Sequence, residues 1–372
     1  MNSKSVLFAI GTLSGGGAER VVSVWANQLA EIGYKVSVVV YGRTDNEYPF
    51  SRNVSIYSCA DSIDGYLKIP YYKRYLYFRK ILRNVSPDYV IPFLRSMRAW
   101  MFFSCIGFRC RRIDTMRISP WCEEKYTSRL GRIINNLSFA TCYKIIIQAA
   151  EQRQWFSRWN RKKTVLIPNP IEDKYLNIPL RAVPDNVKEF IAVGRLAPQK
   201  NYPMMIEGFA KVVNKYPDIT LKIFGDGPDE YKRVLQELID KYEMRSHIYL
   251  MGRTAEIDVE YSRSHVFVMT SDFEGSPNAL IEAMASRLIC VSTDCKTGPK
   301  ELITHAENGF LIPVGSTELF ANTICQIIEM DKYDREGMSE LARKRIISSH
   351  SKEKSLERLC SIFVSECNDK VN

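Results

Sequence analysis

Nothing in this sequence is long and apolar enough to cross a bilayer. The longest apolar run near its middle, Ala99–Phe108, is about half the length of a span. Arg98, Arg109, Arg111 and Arg112 flank it, so it reads as a core helix. No signal peptide is recognisable, and the ten cysteines are singletons with no CxxC pair. A reduced, cytoplasmic setting with the cysteines as packing residues is the expectation. The GxGxxG spacing is missing after the first strand pattern, and Tyr41-Gly42-Arg43 stands where a dinucleotide site wants an acidic residue. Those two absences argue against dinucleotide binding.

What is present is ordinary globular material. At 372 residues, with 45% hydrophobic and 25% charged residues, the chain is too long for one small core and suits two domains. The charge is uneven. Residues 1–180 carry 27 Lys and Arg against 13 Asp and Glu, a net of +14; residues 181–372 carry 25 against 29, a net of −4. A basic half beside a slightly acidic one implies an anionic partner for the first domain. Nucleic acid, an anionic membrane surface and a diphosphate-bearing substrate all meet that description. The basic residues follow no recognised nucleic-acid module, so nucleic acid is not expected as a partner.

Strand and helix patterns alternate along the chain. Ser5–Gly11 reads as a strand, a glycine-rich loop follows, a helix runs from Ala18 to Ile32, and Lys35–Tyr41 is the next strand. Gly15, Gly16 and Gly17 allow either a close backbone approach or a plain tight turn. Strands are expected at Asp88–Phe93, Ile113–Ile118, Lys144–Gln148 and Thr164–Ile167, with helices at Ser96–Gly107, Ser128–Ala140 and Glu151–Trp159 between them. Tyr71–Asn84 carries aromatic and apolar residues at helical spacing, interleaved with Lys73, Arg74, Arg79, Lys80 and Arg83. It suits either a solvated surface helix or one lying on an anionic membrane.

Pro168-Asn169-Pro170 is a rigid break. The boundary is placed there, giving a first domain over 1–168 and a second over 169–351, with a last helix at about 352–367. The second domain reads strands at Glu189–Val193, Thr220–Phe224, Ile248–Met251, His265–Thr270, Ile289–Ser292 and Phe310–Pro313. The expected fold is therefore α/β, with two Rossmann-like doubly wound parallel-sheet domains facing a cleft.

One stretch orders the second domain: Ser271–Glu282, Ser-Asp-Phe-Glu-Gly-Ser-Pro-Asn-Ala-Leu-Ile-Glu. Ser276 suits an N-cap and Pro277 a first helical position, so the amides of Asn278, Ala279 and Leu280 form a phosphate-ready helix start. Glu274 and Glu282 bracket it, placed to accept hydrogen bonds from sugar hydroxyls; a plain strand-to-helix junction has the same spacing. Arg195 and Lys200, on one loop after the strand ending at Val193, can clamp two phosphates. Gly225-Asp226-Gly227-Pro228 is a second loop at that edge.

Arg195 with Lys200, the GDGP loop and the Glu-x7-Glu element of EGSPNALIE together resemble retaining glycosyltransferases of the GT-B fold, family 4. GGGAERVV and IPNP fit the same family. The resemblance implies that Arg195 and Lys200 bind the diphosphate of a nucleotide-sugar, usually UDP-linked. It implies that Glu282 holds the ribose hydroxyls and Glu274 those of the transferred sugar. The backbone of Gly275, Ser276 and Asn278–Leu280 would meet the distal phosphate, beside Gly225 and Gly227, and Gly15–Gly17 would cover the diphosphate. No metal or other cofactor is implied, and the final helix is expected to pack on the first domain. The sequence departs from the family in one respect: all four histidines, His247, His265, His305 and His350, lie in the second half. Arg117 and Ser119 stand in the matching first-domain region, as candidate acceptor or sugar contacts.

The activity so implied is transfer of a hexose or N-acetylhexosamine from a UDP-sugar, with retained configuration. The acceptor expected from the basic, aromatic first domain is a polyprenyl-diphosphate-linked oligosaccharide at the inner face of the plasma membrane. A sugar-nucleotide epimerase of the same fold is the alternative.

Overall fold

The computed structural model describes residues 4–178 and 185–364. Its strands are β1 (Ser5–Ala9), β2 (Lys35–Gly42), β3 (Val54–Ala60), β4 (Tyr89–Pro92), β5 (Arg111–Met116), β6 (Lys144–Ile147) and β7 (Thr164–Leu166), then β8 (Glu189–Val193), β9 (Thr220–Phe224), β10 (Ile248–Gly252), β11 (Val266–Met269), β12 (Ile289–Thr293) and β13 (Phe310–Ile312). They form two all-parallel sheets, in the orders β3-β2-β1-β4-β5-β6-β7 and β10-β9-β8-β11-β12-β13. Each order reverses once, between β1 and β4 and between β8 and β11. Parallel neighbours need crossover helices on both faces, so central strands such as β1, β4 and β11 are buried along their whole length.

The chain divides into two compact units, one reaching to Pro170 and resuming at Lys352, the other Ile171–Ser351. In the first, alternate residues of β1 serve opposite cores. Val6 and Phe8 pack with the helix Gly17–Glu31, whereas Leu7 and Ala9 pack with Phe78, Leu82 and Met97. The helix Lys352–Val364 joins the first of these cores: Leu359, Ile362 and Phe363 are buried in it, and Trp25 Nε1 donates to Ser355 Oγ at 2.9 Å. Residues 365–367 of the expected terminal helix lie outside the described residues.

Several elements differ from expectation, among them the short helices Ile63–Lys68 and Pro120–Lys125, which the sequence reading lacks, and two others. β3 has no counterpart in the sequence reading, because as an edge strand it is only half-buried and Ser55, Ser58 and Cys59 blur its alternation. The helix expected over Glu151–Trp159 is two short ones, Gln152–Trp155 and Arg158–Arg161. Ser157 starts the second, its Oγ accepting from Asn160 N at 3.3 Å.

Candidate active site

Ligands of open α/β sheets sit at the carboxyl ends of strands beside the point where strand order reverses. In the second unit that point lies between β8 and β11, and the loops that leave these two strands carry Arg195, Lys200 and Glu274. After Val193 the chain turns Leu196 into the core and leaves Arg195 exposed. A 3-10 turn, Pro198–Lys200, ends at Asn201, whose side chain caps the helix Tyr202–Val213 by accepting from Met204 N at 3.3 Å.

Short polar bonds stitch the two loops together. Thr270 Oγ1 donates to the carbonyls of Lys200 and Asn201, 3.0 Å each, Gln199 Nε2 donates to Phe273 O at 2.7 Å, and Asp272 N donates to Gln199 O at 2.9 Å. The stitching brings Lys200 Nζ to 2.7 Å from Glu274 Oε1. Both side chains are largely withdrawn from water, so removing either one leaves the other buried and uncompensated. Arg195 makes no ion pair among the described residues, so it is the uncommitted cation of this edge.

The end of β12 and the loop after it, unremarked in the sequence, tie down the main chain that carries Glu274. Thr297 Oγ1 donates to the carbonyl of Glu274, and Thr293 Oγ1 donates to Ser271 O at 2.5 Å. Gly298 has φ +96°, and a Cβ there would sit 2.8 Å from Pro277 Cδ and 3.0 Å from Gly275 O. Only glycine fits. Two neighbours feel the Glu274 charge. The Tyr202 phenol is pushed up from its ordinary value by burial and then by Glu274, and the Cys295 thiol is pushed up to about 12 by the same two causes in the same order.

The helix Asn278–Ala285 starts one residue later than expected. Pro277, not Ser276, is the N-cap, and the amides of Leu280 and Ile281 both donate to Pro277 O at 3.1 Å. The Leu280 amide is therefore spent inside the turn, and Asn278 and Ala279 are the positions that precede the helix's own ladder. Glu282 is buried one turn on, with Tyr261 OH donating to its Oε2 at 3.3 Å and to Ala279 O at 3.2 Å. Tyr261 lies on a separate helix, Ile257–Arg263, so no spacing rule links it to Glu282.

Gly225 and Gly227 do backbone work. A Cβ on Gly225 would overlap Gly194 O, and one on Gly227 would overlap Leu196 O. Hydrogen bonds from Gly194 N to Phe224 O (2.9 Å) and from Leu196 N to Asp226 O (2.8 Å) hold the two loops at that approach. The GDGP loop thus shapes the segment that presents Arg195.

The first-unit candidates have other settings. Gly15 has φ +85°, and Gly16 is the N-cap of the helix Gly17–Glu31, with Glu19 folded against it. Arg117, just past β5, lies over the Phe93 and Trp25 rings at 4.2 and 4.8 Å and donates from Nη1 to Asn169 Oδ1 at 3.1 Å. Its Nε and Nη2 are buried without partners, and burial lowers its guanidinium to about 9. Ser119 is buried at the start of the helix Pro120–Lys125. Of the five basic residues on Tyr71–Val85, Lys73, Lys80 and Arg83 are exposed. The other two hold the fold together. Arg74 is buried and donates to Ile69 O and Leu67 O at 2.7 and 2.8 Å, and Arg79 donates to Ile106 O and Ser104 O at 2.8 and 3.2 Å.

Known proteins resemble this chain in sequence and in fold. Residues 178–345 match the family described as Glycosyl transferases group 1. An uncharacterized glycosyltransferase of Haemophilus influenzae is 28% identical over 307 residues, covering 82% of this chain and 84% of that one. A Campylobacter jejuni α-1,4-N-acetyl-D-galactosaminyltransferase, whose name gives a PP-undecaprenol-linked glycan, is 24% identical over 370 residues, covering 96% and 98%. Among solved structures, the Anabaena protein HepE in complex with UDP superimposes with a TM-score of 0.79 at 17% identity, covering 97% of this chain and 100% of that one.

Proposed function

Starting from a chain that belongs to the group 1 glycosyltransferases and has their GT-B fold, we propose that it moves a hexose or N-acetylhexosamine from a UDP-sugar to a polyprenyl-diphosphate-linked oligosaccharide, retaining configuration, in bacterial surface-glycan assembly. The observation that carries the reading is the Lys200–Glu274 pair, held at 2.7 Å where the strand order reverses, with exposed Arg195 beside it. The UDP in HepE and the lipid-linked acceptor in the name of the Campylobacter relative support the choice of donor and acceptor.

Breaking the glycosyl–phosphate bond builds negative charge on the leaving diphosphate and positive character on the sugar ring. Arg195 and Lys200 oppose the first and require no metal to do so; the Glu274 carboxylate accepts hydrogen bonds from the sugar hydroxyls and favours the second. The leaving phosphate oxygen takes the acceptor's proton on the same face of the ring. Glu282, oriented by Tyr261, holds the ribose. The reaction is placed at the inner face of the plasma membrane, where such acceptors are anchored.

A screen of UDP-sugars by thermal shift, followed by mass spectrometry of the product on a lipid-linked acceptor, tests the reading. Lys200→Ala and Arg195→Ala are each expected to cost about 3–4 kcal/mol of transition-state stabilisation, roughly two to three orders of magnitude in rate. Near-normal turnover by Glu274→Ala removes that carboxylate from the mechanism. An epimerised nucleotide-sugar formed without acceptor replaces the proposal with an epimerase.

A further inference from the structure

Three helices lie side by side on the Leu7 and Ala9 side of the first unit's sheet: Tyr71–Val85, Arg95–Ser104 and Arg129–Thr141. Across all three there are nine Lys and Arg and no Asp or Glu. The third is amphipathic in the wrong sense for a core helix. A helix on a sheet turns its apolar stripe inward, yet here Asn135 and Ser138 face in with Phe139 as their one fully buried apolar neighbour on this helix. Asn135 Oδ1 accepts from Arg98 Nη2 at 3.3 Å, and Ser138 Oγ donates to Asp114 Oδ2 at 2.6 Å. Leu130, Ile133 and Leu137, at helical spacing, face out. These three, with Tyr72 and Leu76 of the first helix, are 49–67% exposed. The chain leaving the middle helix adds exposed Ile106.

We propose that this three-helix face docks on an anionic phospholipid surface. Leu130, Ile133, Leu137, Tyr72 and Leu76 enter the boundary between headgroups and acyl chains, and Lys73, Lys80, Arg83, Arg129 and Arg132 meet the lipid phosphates. Charge selects this occupant over a second copy of the chain, since two basic faces without a carboxylate repel each other. The contact is peripheral: among the described residues no helix is long and apolar enough to cross a membrane. The inference gives the membrane part of the proposed function its surface, and rests on that reading for its purpose alone.

Flotation of the full chain with vesicles of phosphatidylglycerol and phosphatidylethanolamine, against vesicles of phosphatidylcholine, tests it. The wild type floats with the anionic vesicles only. The triple variant Leu130→Ser, Ile133→Ser, Leu137→Ser loses at least tenfold of that binding with unchanged melting, because the residues are exposed and support no core. The pair Lys73→Glu, Lys80→Glu loses a similar amount. Absence of wild-type flotation overturns the proposal, as does equal flotation of the triple variant. Transfer to a water-soluble acceptor analogue reads the chemistry separately. Intact transfer without vesicle binding defeats the surface alone, and vesicle binding without transfer defeats the enzymatic reading alone.

Discussion

Arg117 is the most costly side chain to bury among the site candidates. It keeps two nitrogens out of water without partners, and aromatic faces rather than a carboxylate offset its charge. Even a buried ion pair replaced by apolar chains of similar volume is commonly neutral or stabilising, and Arg117 has no carboxylate to offset its desolvation. Arg117→Met is therefore expected to raise stability by about 1–4 kcal/mol in thermal melts, while activity falls if the guanidinium contacts substrate. Buried Cys295 and Cys142 give the opposite lesson at high pH. Both thiols are pushed up to about 12 from an ordinary 9.0, chiefly by burial. A folded pKa above the unfolded one means that their stabilisation is whole below about pH 9 and is lost as pH rises from there to about 12. Melting temperature measured across that window should fall, and a Cys142→Ala, Cys295→Ala chain should show a shallower decline. At this scale the placement of Arg195, Lys200, Glu274 and Glu282 beside loops and a helix start was legible in the sequence, whereas the pairing of Lys200 with Glu274 was not. Thr297, which holds the Glu274 main chain, and Tyr261, which holds the Glu282 carboxylate, were not legible, because hydroxyl groups in ordinary contexts signal nothing until the fold brings them across.

The elements repeat this pattern. Glu189–Val193, with a buried apolar centre, and Thr220–Phe224, which alternates half-buried and buried residues before Phe224, agree with the sequence to the residue. β3, with one flank open, carries too mixed a pattern to be read. The junction at Pro277 shows a finer limit: Ser276 has the better capping chemistry, yet the approach of Gly298 beneath Gly275 and Pro277 fixes the turn one residue on. The GDGP loop provides the test. Gly225→Ala, at φ +146° and against the Gly194 carbonyl, is expected to cost more than about 1–3 kcal/mol and to displace Arg195. A melting curve and a UDP titration check the two effects, and unchanged values for both would show that the loops do not need their close approach.

For the whole molecule, the uneven charge seen in the sequence resolves into a distribution with structure: a net of +14 over residues 1–180 includes a helical face with no carboxylate at all. That face was half legible. The basic, aromatic pattern of Tyr71–Asn84 pointed to it, but Arg74 and Arg79 turn inward, and the outward leucines of Arg129–Thr141 gave no sign before their polar neighbours were seen to face the sheet. The last helix belongs to this scale as well. Ser355→Ala leaves the Trp25 indole N–H buried without an acceptor, which is expected to cost about 1–3 kcal/mol, read as a lower melting transition.

The return of the chain at Lys352 has a consequence for biosynthesis. A nascent polypeptide emerging from the ribosome carries all seven strands of the first sheet long before Leu359, Ile362 and Phe363 exist to cover it. That side of the sheet, Tyr34 and Tyr89 included, lacks its last covering helix while the whole second unit is translated. The earliest-made part of this protein is thus completed by residues made after the second unit, and apolar surface left open in that interval is prone to aggregate.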